Sequence, residues 1–168
     1  LLNNPQARTS TPSDTRFPST SHISSPPALA AIVGPERVLT DAESLLHYGR
    51  DWTRAYTPAA GAVVLPSTIS QVQDIVRLAA RENLAIVPSG GRTGLSAGAV
   101  ARNGELVLAL DRLNRIEDFN PVDRTVRCGA GVVTEQLQQF AQERGLFYPV
   151  DFASSGSSVA RHATTFPS

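Results

Sequence analysis

Two short β-branched segments on either side of an amphipathic helix pattern constrain the fold of this chain most. The segments are "GAVVLP" at residues 61–66 and "LAIVP" at residues 84–88. Ser67 or Thr68 is expected to cap the intervening helix. The order strand, helix, strand predicts parallel strands, because the helix is long enough to serve as a crossover. The apolar face predicted for the helix consists of Ile69, Val72, Ile75, Val76 and Ala79.

The flanking segments extend this pattern into an α+β fold. "ALAAIVGPERVLT" predicts a helix ending at Gly34-Pro35, and "DAESLLHYGRDWT" predicts a helical turn capped by Asp41. Three further strands are expected at residues 105–110, 115–120 and 125–131. The last segment, "VVTEQLQQFAQERG", predicts a second amphipathic helix with Val133, Leu137 and Phe140 inward and Gly145 as its terminator.

Composition narrows the function classes. The 168 residues carry no net charge, which gives no support for nucleic acid or an anionic membrane surface as a partner. The single cysteine, Cys128, excludes an internal disulfide, and we expect it to be a buried thiol facing inward from a strand. No apolar run is long enough for a transmembrane segment. His22, His47 and His162 lack metal-ligand spacing, so no metal site is predicted.

The first 27 residues contain fifteen Ser, Thr or Pro and are expected to form a disordered leader. Arg8 and Arg16 among the serines are faintly similar to a transit peptide, although a linker-like leader is the simpler interpretation. We expect a cytoplasmic protein, with a mitochondrial location as the alternative if the source is eukaryotic. The absence of methionine, with Leu1 as the first residue, indicates a processed chain, a fragment or a conceptual translation whose start was not identified. Trp52 is expected to pack in the core, as lone tryptophans usually do.

The stretch "IVPSGGRTGLSAGAV" at residues 86–100 is the main candidate binding element. Glycines let the backbone approach a ligand, and converging N–H groups bind anions. Hydroxyls of Ser89, Thr93 and Ser96 and the charge of Arg92 suit a phosphate or diphosphate. The spacing fits neither a Walker loop nor a dinucleotide fingerprint, and an ordinary flexible connection remains an alternative. Gly129-Ala130-Gly131 is better explained as a tight strand-to-helix turn than as a dinucleotide-binding loop.

"PSGGRTGLSAGAV" resembles the diphosphate-binding loop of FAD-linked oxidases of the vanillyl-alcohol oxidase type. The flanks "VVLPSTISQVQDIVRLAAREN" and "DRLNRIEDFNPVDRTVRCGAGVVTEQLQQFAQERGLFYPVD", followed by "GSS", extend the resemblance over residues 47–158. The subgroup of D-lactate, glycolate and D-2-hydroxyglutarate dehydrogenases is the most similar. A flavin reductase of cell-wall synthesis or a sugar-acid oxidase would share the same loop.

This resemblance implies part of a PCMH-type FAD-binding domain, truncated before its second subdomain is complete. The leader (1–27) and the helical segment (28–57) follow from composition and pattern. The resemblance adds the partial domain (58–158) and a non-matching tail (159–168), for which a frameshift near Val159 is one hypothesis. The implied FAD-binding residues are Pro88, Ser89, Gly90, Gly91, Arg92, Thr93, Gly94, Leu95, Ser96, Pro149, Gly156, Ser157 and Ser158.

The resemblance also implies chemistry. FAD would be held non-covalently, since relatives with covalent FAD often have histidine where this chain has Arg92. The intact enzyme would oxidise a small 2-hydroxy acid to the 2-oxo acid. No catalytic residue is assigned within this chain, which we expect to be inactive alone. A non-catalytic remnant with weak or no nucleotide binding is the alternative.

Overall fold

The computed structural model describes residues 26–150 and, for the backbone alone, the strand Ala163–Thr165. The expectations for residues 1–25, for Gly156, Ser157 and Ser158, and for a frameshift near Val159 lie outside the described residues. Residues 26 and 27, assigned to the leader by composition, instead begin the first helix.

The predicted elements are present, with small shifts of their ends. The helices are α1 (Pro26–Val33), α2 (Ala42–Tyr48), α3 (Ile69–Glu82) and α4 (Thr134–Gln142), and a short 3-10 turn spans Pro35–Arg37. The strands are β1 (Val38–Leu39), β2 (Ala62–Val64), β3 (Ile86–Ser89), β4 (Leu106–Ala109), β5 (Ile116–Asn120), β6 (Thr125–Cys128) and β7 (Ala163–Thr165). Asp41 caps α2 by accepting from the Ser44 N–H, and Thr68 rather than Ser67 caps α3.

The first sheet has the strand order β1-β2-β4-β3. The parallel orientation predicted for β2 and β3 is confirmed, but the two strands do not pair with each other. Instead β4 lies between them, and its Leu106 is in register with both Ala62 and Ile86. The edge strand β1 pairs antiparallel with β2. The segment 28–57, which was predicted to be helical, therefore also contains a strand.

Helices α1 and α3 cover one face of this sheet, and Ile75 and Leu78 of α3 are buried in its core. The prediction for Ile69 and Val76 was wrong, since these side chains are 72% and 47% exposed. Val76 is rotated by about 100° from Ile75 around the helix axis, and Ile69 lies in the first turn. The buried face of α3 is therefore narrower than the set of apolar residues predicted to face inward, and it also includes Leu78.

The second sheet is antiparallel, with the order β5-β6-β7, and α4 packs against it. Leu137 is buried as predicted, and Phe140 is partly buried against the same cluster. Val133 was expected inward but is the half-exposed N-cap of α4, and Val132 is buried in its place. The helix ends three residues before Gly145, which has a left-handed φ of +67°.

Candidate functional site

Three turns meet at one edge of the first sheet and form a cleft. The first follows β3, the second follows β4, and the third precedes α4. The cleft has a volume of about 180 Å³, which accommodates a small polar group. It is lined by Gly90, Gly91, Arg92, Asp111, Asn114, Gly131, Val133 and Gln136.

The glycines before α4 are required by the fold itself. A Cβ at Gly129 would overlap the carbonyl oxygen of Leu113, and a Cβ at Gly131 would overlap that of Leu110. The Gly131 N–H also donates to the Leu113 carbonyl at 3.0 Å. The interpretation of this segment as a tight strand-to-helix turn is therefore confirmed, although Gly131 lines the cleft as well.

Gly94 and Gly98, in the loop after β3, are not required by the fold in this way. A Cβ at Gly94 or Gly98 would have no atom within 4 Å, and neither residue has a left-handed φ. Within residues 26–150, the backbone N–H groups of Gly94, Leu95, Ser96 and Gly98 donate to no protein acceptor. Open space beside free N–H donors is what a loop needs to bind an anion closely.

The side chain of Arg92 is held by contacts with Asp111 and Tyr48. Its guanidinium forms two hydrogen bonds to the Asp111 carboxylate, at 2.9 and 3.3 Å, and lies 5.0 Å from the centre of the Tyr48 ring. These contacts support a left-handed backbone at Arg92, with φ of +57°. Burial, followed by the charge of Arg92, lowers the pKa of His47. The charge of Arg92 is thus partly balanced by Asp111.

The other predicted site residues differ in their accessibility. Ser89 is buried, and its hydroxyl donates to the Tyr48 carbonyl at 3.1 Å. This hydroxyl is therefore used inside the fold, contrary to its expected role as a ligand donor. Thr93 is half-buried, whereas Pro88, Gly94, Leu95 and Ser96 are exposed. Pro149 is exposed beyond α4 and is absent from the cleft lining that the structure describes.

Sequence reasoning missed several polar residues of this region. Asp111 and Asn114 follow β4 and line the cleft, and Gln136 accepts from the Val133 N–H at the start of α4. Polar residues just after a buried strand were the signal that could have identified the first two. None of the described residues form a group of three or more His, Cys, Asp or Glu side chains that could hold a metal ion.

Trp52 was expected in the core, but its side chain is 70% exposed. Its backbone N–H donates to the Gly94 carbonyl at 3.2 Å. The neighbouring Asp51 is the buried residue of this segment, only 3% exposed. The segment is thus placed by its backbone and by Asp51, so the indole is not needed for packing.

Comparison with known proteins identifies the family and its relatives. Residues 60–160 match a family described as an FAD binding domain. The chain is 60% identical over 130 residues to D-2-hydroxyglutarate dehydrogenase of Stutzerimonas stutzeri, covering 77% of this chain and 28% of that protein. It is 36% identical over 131 residues to the mitochondrial D-2-hydroxyglutarate dehydrogenase of Bos taurus, covering 77% and 24%. The chain spans about a quarter of the length of these relatives.

Solved structures share the fold. A p-cresol methylhydroxylase with bound substrate has a TM-score of 0.67 at 21% identity, covering 79% of this chain and 27% of that chain. An alkyldihydroxyacetonephosphate synthase has a TM-score of 0.70 at 19% identity, covering 77% and 26%. At these identities the likeness shows the fold alone, and it agrees with the PCMH-type α+β fold expected from the sequence. Across residues 26–150, no helix is long and apolar enough to cross a membrane.

Proposed function

The chain belongs to the FAD binding domain family, and on that premise we propose that the loop from Ser89 to Gly98 holds the diphosphate of FAD. The observation that carries the proposal is the open space beside Gly94 and Gly98, next to backbone N–H groups that have no acceptor among the described residues. A diphosphate needs several donors at short range and no Cβ in its way. The residues present therefore fit this part of the cofactor.

We propose non-covalent attachment of the flavin. The side chains lining the described cleft are those of Arg92, Asp111, Asn114, Val133 and Gln136. These side chains do not offer an imidazole or thiol nucleophile for a covalent bond to the cofactor. Acid precipitation of FAD-loaded protein should leave all of the flavin in the supernatant, and flavin retained in the pellet would contradict this.

We infer that the whole protein is an FAD-dependent 2-hydroxy acid oxidoreductase, similar to the D-2-hydroxyglutarate enzymes. The 60% identity to the Stutzerimonas stutzeri protein supports this substrate class. When bound, FAD would supply the acceptor for hydride from the substrate's α-carbon. The described residues would position its phosphates. The groups that bind the substrate would belong to the part of the whole protein that corresponds to regions of the relatives outside the match.

The binding proposal is tested by titrating the 168-residue chain with FAD. Trp52 is the only tryptophan, and its backbone N–H donates to the Gly94 carbonyl. Quenching of its fluorescence therefore reports binding near Gly94. Gly94→Asp places a negative charge in the open space and should weaken binding at least about tenfold. Ser70→Asp adds the same charge on the exposed start of α3 and serves as the matched control.

Saturable binding by the wild type and the Ser70→Asp control, weakened at least about tenfold in Gly94→Asp, supports the proposed site. Failure of the folded wild-type chain to bind FAD would instead favour a remnant without cofactor. Turnover of D-2-hydroxyglutarate with an artificial electron acceptor tests whether the 168-residue chain is active by itself. We expect the chain to bind FAD without turnover, and turnover would show that catalytic groups are present in it.

A further inference from the structure

The segment from Tyr48 to Thr53 runs beside the glycine loop, and we call it the brace. It begins at the last residue of α2 and continues toward β2, far from the loop in sequence. Its contacts are spread over residues 89–101, which include the loop, rather than concentrated at one point. They are the bonds Ser89 Oγ to Tyr48 O (3.1 Å), Trp52 N to Gly94 O (3.2 Å), Ala97 N to Asp51 Oδ2 (3.0 Å) and Ala101 N to Gly49 O (3.0 Å).

Asp51 contributes a buried carboxylate to the brace. Its Oδ1 accepts from the Thr53 N–H at 3.1 Å and from the Thr53 hydroxyl at 2.8 Å. Its Oδ2 accepts from the Ala97 N–H. The Thr53 hydroxyl, followed by backbone donors, lowers the pKa of Asp51. The carboxylate is therefore charged at neutral pH and can accept all three hydrogen bonds.

Ala97 is where this carboxylate meets the loop. Its φ is +58°, a left-handed conformation that is unfavourable for a residue with a Cβ. It lies between Gly94 and Gly98, whose N–H groups have no acceptor within residues 26–150. The Asp51 bond and the Val100 N–H bond to the Ala97 carbonyl hold both sides of this residue.

We infer that Asp51 is a positioning residue for the cofactor loop: by holding Ala97 in its left-handed conformation, it keeps residues 94–98 in the form that receives the diphosphate. The inference rests on the proposed function of the loop. It runs against simple electrostatics, because a carboxylate near an anion site should oppose anion binding. If positioning of Ala97 dominates, Asp51→Asn should weaken FAD binding. If charge repulsion dominates, Asp51→Asn should strengthen it.

The experiment compares Asp51→Asn with Asp41→Asn in the 168-residue chain. Asp41 also accepts a backbone N–H, but it does so at the exposed start of α2. Exchange of the Ala97 amide is followed by NMR, and FAD affinity is measured by Trp52 quenching. We expect Asp51→Asn to speed Ala97 exchange about tenfold and to weaken FAD binding about tenfold, with amides of α3 unchanged. Asp41→Asn should behave like the wild type in both measurements.

A rescue variant separates positioning from a general structural role. Glycine adopts a left-handed φ at little cost, so Ala97→Gly should need no support from Asp51. Adding Ala97→Gly to Asp51→Asn should restore most of the lost FAD affinity. If Asp51→Asn is too unstable to study, Asp51→Asn with Ala97→Gly is compared with Ala97→Gly alone, and we expect equal affinities within about twofold.

The outcomes distinguish the two proposals. Tighter FAD binding by Asp51→Asn would show that repulsion dominates and would overturn the inference. Unchanged Ala97 exchange, or a failure of Ala97→Gly to rescue, would also overturn it while FAD binding by the wild type stands. A folded wild-type chain that binds no FAD overturns the proposed function and removes the premise of the inference.

Discussion

Arg92 and Asp111 are joined by two hydrogen bonds at the cleft, from Nη2 to Oδ1 at 2.9 Å and from Nη1 to Oδ2 at 3.3 Å. Both side chains are partly buried, and both residues line the cleft. The pair places a negative charge where we propose that an anionic group binds. Asp111 therefore orients Arg92 and at the same time competes with the ligand for its guanidinium.

Removing that competition should strengthen anion binding. In Asp111→Asn, Arg92 keeps its charge but loses the opposing carboxylate, so we expect pyrophosphate to bind about threefold to tenfold more tightly at low salt. Titration calorimetry measures this. Asp118→Asn, which breaks the exposed pair with Arg127, is the control and should have no effect. Weaker binding by Asp111→Asn would mean that orientation of Arg92 outweighs its free charge.

Alanine should have different effects at Gly131, before α4, and at Gly94, in the loop after β3: it should lower stability at the first and FAD affinity at the second. Gly131→Ala forces a Cβ onto the Leu110 carbonyl, so we expect a loss of about 2 kcal/mol or more in the free energy of unfolding. Gly94→Ala meets open space and should change stability by less than about 0.5 kcal/mol. It should nevertheless weaken FAD binding about tenfold. Urea unfolding and FAD titration of both variants check this, and a large loss of stability in Gly94→Ala would contradict it.

Asp51 should make stability depend on pH in the acidic range. Its folded pKa lies below the ordinary value of 3.8, so the unfolded chain binds more protons between the two values. The contribution is complete above the ordinary pKa and is lost as the pH falls through the folded one. Urea midpoints should therefore show Asp51→Asn less stable than wild type at pH 7, with the difference narrowing below about pH 4.

A control variant without a titratable change keeps this measurement specific. Ser96→Ala alters an exposed hydroxyl in the same loop and should follow the wild type across the whole range. A difference between Asp51→Asn and wild type that stays constant down to pH 3 would show that the charge of Asp51 does not stabilise the fold.

Local patterns predicted the elements of this fold well, because each depends on neighbouring residues. The Asp41 cap and the helix α3 follow from capping chemistry and from apolar spacing within one segment. The order of strands could not be obtained in this way. The place of β4 between β2 and β3 depends on contacts between Leu106 and residues more than 15 positions away.

The candidate site was predicted only in part, for a similar reason. The glycine loop can be recognised from its local sequence. The roles of Ser89, Asp51 and Trp52 depend instead on contacts between the loop and the brace, which is distant in sequence. A serine in a binding motif and a lone tryptophan have common roles, as ligand donor and core residue. Here the Ser89 hydroxyl is used inside the fold and the Trp52 indole is exposed, and only the tertiary structure shows this.

Cys128 offers a last test of how the second sheet is packed. Burial raises the pKa of its thiol, and the side chain lies partly buried against the cluster around Val126 and Leu137. Because the thiolate is the reactive form, the folded chain should react with a disulfide reagent at pH 8 about tenfold or more slowly than the chain in urea. Cys128→Ser removes the only cysteine and should abolish the reaction. Equal rates in the folded and unfolded chain would show that this thiol is open to solvent.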